Sequence, residues 1–217
     1  MDGLSLRRRI ALDIARSMRK SQEEEHPLRQ LFWECTLRCN LRCQHCGSDC
    51  KQVAATPDMP KEDFFKVLDS IAAKTDPHKV FVIISGGEPT MRADLEECGK
   101  GIYSRGFPWG MVTNGFGMTA ERFSRLLGAG LHSMTVSLDG LEENHDWLRG
   151  REGSFTRAVE TIRMAVQSGI AFDVVTCVNR RNYPQLPQLK EFLIGLGLKE
   201  WRLFSIFPQG RAALNPD

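Results

Sequence analysis

The sequence has no apolar run approaching the roughly eighteen residues of a membrane-spanning helix, and no leader-like apolar stretch near its start. A soluble, cytoplasmic chain is expected. A charge excess is also missing: 29 Lys and Arg stand against 27 Asp and Glu, spread along the chain, which gives no electrostatic footprint for a nucleic acid. No second C-x2-C or H-x3-H pair completes a four-ligand zinc site, and no cysteine lies beyond Cys177. Seven cysteines are present all the same, five of them between Cys35 and Cys50. Such crowding would scramble into disulfides in an oxidising compartment, so it argues for a reducing one.

The informative stretch is Cys39-Asn40-Leu41-Arg42-Cys43-Gln44-His45-Cys46, a C-x3-C-x2-C run just beyond the apolar segment Leu31 to Trp33. Three thiolates this close together can face one small cluster of metal ions. A cubane iron-sulfur cluster held by three cysteines keeps one iron open to a substrate or cofactor. The rival readings are a zinc module and a purely electron-carrying cluster.

The pattern T-x-x-C-N-L-x-C-x-x-C, here Thr36, Cys39, Asn40, Leu41, Cys43 and Cys46, resembles the signature of the radical S-adenosylmethionine (radical SAM) enzymes, with His45 where an aromatic is common. Ser85-Gly86-Gly87-Glu88-Pro89-Thr90 resembles the family's GGEP motif. The resemblance implies that Cys39, Cys43 and Cys46 bind three irons of a 4Fe-4S cluster and that Gly86, Gly87 and Glu88, with Pro89 stiffening the exit, hold the amino group of S-adenosylmethionine. Asn114 lies in a T-N-G turn also common in the family. Ser137 and Asp139 match an S-x-D-G block that lines the cofactor near its ribose and carboxylate. His145-Asp146-x-x-Arg149-Gly150 with Gly153-Ser154-Phe155 resembles a block of members that carry a C-terminal cysteine-rich domain of the SPASM or twitch type, many of which modify peptides. Arg149 is expected either to reach a carboxylate of cofactor or substrate or to face solvent from a loop. Subfamilies encoded beside small lipoproteins also look similar.

Along the chain, residues 1–28 form an expected helical extension. Leu4, Ile10, Leu12, Ile14, Ala15 and Met18 give an amphipathic helix that packs on the barrel's open side or bottom, and Ser21 to His26 a solvated link. Strands are expected at 31–36, 79–85, 109–113, 133–138, 171–178 and 200–207. Helices follow at 61–73, 94–104, 119–128 (Thr119 as N-cap), 155–168 (Gly169 as stop) and 182–196. Strand–helix alternation predicts a parallel α/β fold with right-handed crossovers. The resemblance makes it a (β/α)6 partial TIM barrel over residues 29–207, with its site at the C-terminal strand ends. Residues 208–217 then begin a loop over the cofactor. The expected cysteine-rich domain does not follow, so the chain is expected to be a fragment. Cys35, Cys50, Cys98 and Cys177 are expected to be packed or incidental thiols.

The activity implied is reductive cleavage of S-adenosylmethionine, with the electron from a ferredoxin or flavodoxin, to give a 5'-deoxyadenosyl radical that abstracts hydrogen from a substrate. That substrate is expected to be a peptide or protein, with haem or other cofactor biosynthesis as the alternative.

Overall fold

The computed structural model describes residues 5–215. Among them, six strands form one parallel sheet in sequence order: β1 (Gln30–Thr36), β2 (Phe81–Gly86), β3 (Trp109–Thr113), β4 (Leu131–Ser137), β5 (Ala171–Val178) and β6 (Trp201–Ser205). Every neighbouring pair is parallel, so β1 and β6 are the sheet's two edges. The crossovers contain α2 (Lys61–Ala72), α3 (Leu95–Tyr103), α4 (Ala120–Gly128), α5 (Glu142–Arg149), α6 (Ser154–Ser168) and α7 (Leu186–Gly195), with α1 (Leu6–Glu25) ahead of β1. This is the expected partial barrel.

The core lies between the sheet and the crossover helices. Trp33 stacks on Phe64 of α2 with ring centroids 3.9 Å apart, and Ile84, Leu95, Trp109, Met134 and Ile162 are fully buried around them. Strand β2 does not bury both faces, as its unbroken apolar run suggests. Val82 and Ile84 are fully buried under helices, while Phe81 and Ile83 are half-buried on the other face. A six-stranded sheet leaves its concave face open. A cavity of about 320 Å³ there includes Phe32, Ile83, Val112, Thr135 and Arg202.

The N-terminal segment departs from expectation. Helix α1 continues through the predicted link to Glu25, helped by good helix formers and an Arg19–Glu23 pair at 3.2 Å. Its apolar residues Leu6, Ile10, Leu12, Ile14 and Met18 are all exposed rather than packed on the barrel. Leu4 lies outside the described residues. Thr119 caps α4 by accepting from the Arg122 amide at 3.1 Å, and Gly169 ends α6 at φ 71°. Among the described residues no helix is long and apolar enough to cross a membrane.

Candidate active site

Strand β1 ends at Thr36 and releases the cysteine loop, whose base is closed by a parallel bridge between Arg38 and Lys51 and by the Cys39 amide donating to the Lys51 carbonyl at 2.8 Å. Leu41, Cys39, Cys43 and Cys50 pack together as a small apolar cluster, which gives this irregular segment its own anchor. Cys39 and Cys43 are buried and Cys46 is half-buried. Burial pushes the Cys39 thiol up to about 12, with the charges of Cys43 and Glu88 adding to the rise and a hydrogen bond from the Leu41 amide opposing it. Burial also raises Cys43, against the pull of Arg149. Both thiols therefore hold their protons at neutral pH until a metal displaces them.

A cavity of about 200 Å³ lies beneath this loop at the strand ends. Of the residues singled out in the sequence, Cys39, Cys43, Cys46, Gly86, Gly87, Glu88, Asn114, Ser137 and Arg149 line it, as does Cys50. Pro89 and Asp139 are buried beside it without lining it.

The two glycines answer to the cysteine loop's backbone. The Gly87 amide donates to the Thr36 carbonyl at 2.7 Å and the Glu88 amide to the Arg38 carbonyl at 2.9 Å. A Cβ on Gly86, at φ 120°, would stand 2.3 Å from the Thr36 oxygen, and one on Gly87 2.2 Å from the Arg38 oxygen. Only glycine lets the β2 exit lie against the start of the loop. The Glu88 carboxylate is already engaged: Oε1 accepts from the Thr90 amide and from the hydroxyls of Thr90 and Thr113, and Oε2 accepts from the Asn114 amide at 2.7 Å. Burial raises its pKa while these four donors oppose the rise. Oε2, with a single donor, keeps acceptor capacity, and Glu88 lines the cavity.

Asn114 carries this link to the loop. Its amide nitrogen donates to Asn40 Oδ1 at 2.8 Å and lies 3.9 Å from Cys39 Sγ, while its own Oδ1 accepts from the Phe116 amide. Arg149 is no solvent-facing loop residue. It is the last residue of α5, buried, with Nη1 3.7 Å from Cys43 Sγ and Nε 2.6 Å from Asp139 Oδ2. The Nε–H is not aimed at that oxygen, so the contact is Coulombic rather than a made hydrogen bond. Burial alone would raise Asp139, but the guanidinium holds its carboxyl below the usual carboxylate range. The other Asp139 oxygen accepts from the Cys177 amide at 2.8 Å, and its backbone ties to His145 and Asn182.

The block around His145 is a fold motif. The His145 ring accepts from the Asp139 amide, and Asp146 accepts from Gly153, Ser154 and Phe155 to start α6, with Gly150 at φ 64° closing α5. Asn182 stands ahead of a 3-10 turn, Tyr183–Gln185, that runs into α7, but its side-chain amide binds the carbonyls of Asp139 and Cys177 instead of capping the turn. Two contributors had little sequence signal. Arg211, beyond β6, folds back onto the cysteine loop and reaches the cavity wall. A second cavity of about 490 Å³ shares His45 and includes Trp147, Leu148, Asn179, Ile206 and Asn215. Burial, followed by the Arg149 charge, lowers the His45 imidazole to about 4, so it is neutral.

Three cysteine thiols about one cavity are a donor set that fits an iron-sulfur cluster. Tetrahedral zinc, with Zn–S near 2.3 Å, needs sulfurs about 3.8 Å apart. Among the described residues His45, Asp139 and Cys177 lie within 4.8 Å of one another, whereas the three signature thiols do not all do so. That other group already holds the Arg149 cation against Asp139.

Fold and site together define an open parallel barrel whose mouth presents three thiols beside a glycine-lined edge. The family model of the radical SAM superfamily matches residues 33–193, and the chain belongs to that superfamily. The superfamily's cofactors are a 4Fe-4S cluster and S-adenosylmethionine. The AdoMet-dependent heme synthase of Oleidesulfovibrio alaskensis is 30% identical over 92% of this chain and 51% of its own. The PqqA peptide cyclase of Methylocella silvestris is 28% identical over 78% and 45%. Streptococcus suis SuiB bound to S-adenosylmethionine superposes with a TM-score of 0.71 at 17% identity, over 95% of this chain and 48% of that one. The chain spans about half the length of the curated relatives it matches.

Proposed function

We propose that this chain generates a substrate-oxidising radical at the cysteine cavity, with Cys39, Cys43 and Cys46 holding a 4Fe-4S cluster and the Gly86–Glu88 edge, Asn114, Ser137 and Arg149 receiving S-adenosylmethionine beside it. The observation that carries this is the convergence of three signature thiols, Cys39 and Cys43 buried and Cys46 half-buried, on one cavity bounded by that edge. When bound, the pair supplies reductive scission of the sulfonium to methionine and a 5'-deoxyadenosyl radical.

The protein's part is placement and exclusion of water. Oε2 of Glu88 offers an acceptor for an ammonium group, and Arg149 and Ser137 offer donors for a carboxylate. Pro89 stiffens the turn that carries Glu88, and Asp139 acts through Arg149. The neighbouring cavity has the size for a nucleoside and shares His45 with the first. A ferredoxin or flavodoxin is the proposed donor, and seven free cysteines suit a reducing cytoplasm.

For the substrate we propose a peptide or protein segment. The concave face is open along the β1 and β6 edges, with Phe32 and Phe204 exposed there, so an extended chain could enter. Support comes from PqqA peptide cyclase and from SuiB, whose structure bound to precursor peptide SuiA has the same fold. A second reading, a tetrapyrrole, is favoured by the 30% identity to a heme synthase.

The test is anaerobic reconstitution with iron and sulfide, then dithionite and S-adenosylmethionine. Release of 5'-deoxyadenosine is expected, and none from a variant whose Cys43 is replaced by alanine. A wild-type protein with an intact cluster that releases none would sink the reading. Deuterium transfer into 5'-deoxyadenosine from labelled peptide or labelled tetrapyrrole separates the two substrates.

A further inference from the structure

The cysteine loop leaves one edge of the sheet, and the segment that covers it arrives from the other. After β6 the chain forms a short 3-10 turn, Gly210–Leu214, which turns back across the open side. The Arg211 amide donates to the Cys46 carbonyl at 2.9 Å. Its Nε donates to the Cys43 carbonyl at 2.7 Å, and Nη1 reaches both the Cys50 carbonyl at 3.0 Å and Asp49 Oδ1 at 2.7 Å. Asn215 adds a donor to the Gln44 carbonyl at 3.2 Å.

One guanidinium and one amide thus satisfy the carbonyls of two signature cysteines and of Cys50. These carbonyls belong to an irregular loop that has few ladder bonds of its own. Asp49, held at φ 47°, is fixed in that strained conformation partly by Arg211. The approach is close enough to demand glycine: a Cβ on Gly210 would stand 2.3 Å from the Gly47 oxygen and 2.5 Å from the Cys46 oxygen. A lysine could keep the charge but could not span the Cys43 and Cys50 carbonyls as the planar fork does.

We propose that Gly210–Asn215 is a clasp that ties the two free edges of the barrel together over the cysteine loop, and that Arg211 is the positioning residue that keeps Cys43 and Cys46 poised to hold the cluster. The inference rests on the cluster reading for its consequence. Its geometry stands in the iron-free chain.

The experiment compares wild type with Arg211→Lys, Arg211→Gln and Gly210→Ala. Anaerobically reconstituted proteins are challenged with a ferrous-iron chelator, and iron release is followed by loss of the cluster's visible absorbance. Each variant should release iron about tenfold faster or more, the loss expected for charge-assisted hydrogen bonds to carbonyls. Lysine should fail to rescue. Amide hydrogen exchange on the iron-free proteins gives a second readout: protection should fall at Cys39, Gln44 and Arg211 and stay unchanged in β2 to β4. Release and exchange equal to wild type would overturn the clasp, and so would exchange rising through the whole sheet. Should wild type hold no iron at all, the cluster reading fails, while the exchange experiment still decides the clasp.

Discussion

The Asp139–Arg149 pair joins the end of β4 to the end of α5 directly behind Cys43, and both groups are buried. Replacing Arg149 by methionine leaves a carboxylate in the interior with the Cys177 amide on its far oxygen and no compensating cation. Replacing Asp139 by asparagine keeps an acceptor for that amide but strands the guanidinium. Breaking a buried pair from one side costs about 3–5 kcal/mol. At roughly 2–4 °C per kcal/mol for a chain of this size, either single variant should lower Tm by about 6–20 °C. The double variant removes both charges, so it should be more stable than the two single losses added, with a coupling of about 2 kcal/mol. Urea unfolding of the iron-free proteins under reducing conditions measures all four corners. Because the Asp139 pKa is depressed in the folded state, its contribution is complete above the usual carboxylate range and is lost as pH falls through that range to the native value. The acid limb of the stability profile should therefore flatten in the asparagine variant. Single-variant losses below about 1 kcal/mol, or strict additivity, would refute the reasoning.

Replacing Cys43 by alanine should remove most of the iron bound on reconstitution, whereas Cys98→Ala and Cys177→Ala should retain it, since neither of those thiols lines the cysteine cavity; iron and sulfide assays with visible spectra decide this. Gly87→Ala forces a methyl against the Arg38 carbonyl at 2.2 Å, which should cost about 1–3 kcal/mol by chemical denaturation and weaken S-adenosylmethionine binding by calorimetry. Glu88→Gln turns an amide N–H toward donors that now meet a carboxylate, a loss of about 1–3 kcal/mol that a thermal shift should register.

Much of the scaffold was legible because each crossover repeats the same local signals. A β-branched run such as Val82 to Ile84, a turn and then an amphipathic helix specify a parallel unit without reference to anything distant. Strands β3 and β5 fall on their expected residues, and Thr119 caps α4 as its position suggests. What sequence could not carry was the direction of side chains whose partners lie far along the chain. Arg149 reads equally as a loop arginine until Asp139 and Cys43, 106 positions away, are seen against it. Arg211 lies 168 positions from the carbonyl it holds. His145 and Asp146 invite a functional reading, yet His145 Nδ1 accepts from the Asp139 amide and the Asp146 carboxylate accepts from the start of α6, which are bonds of the fold itself. The exposure of α1 was hidden for the opposite reason, since an amphipathic pattern reports a face and not its partner.

The electrostatics of the mouth follow from these placements. A cluster carried by three thiolates is anionic and becomes more so on accepting an electron, and a mouth with few waters would resist that charge. The chain answers with oriented N–H groups at two of the sulfurs: Arg149 at Cys43 and Asn114 at Cys39. Glu88, whose charge acts on Cys39, would work against them, but its carboxylate is drawn toward four donors, one of which is the Asn114 amide. Asp139 would also oppose the added electron, yet it is the group that holds Arg149 in place. Glu88 and Asp139 are therefore each coupled to a residue whose N–H faces a signature-cysteine sulfur, so on the proposed cluster reading removing either acid should disturb the metal site through geometry rather than through its charge alone.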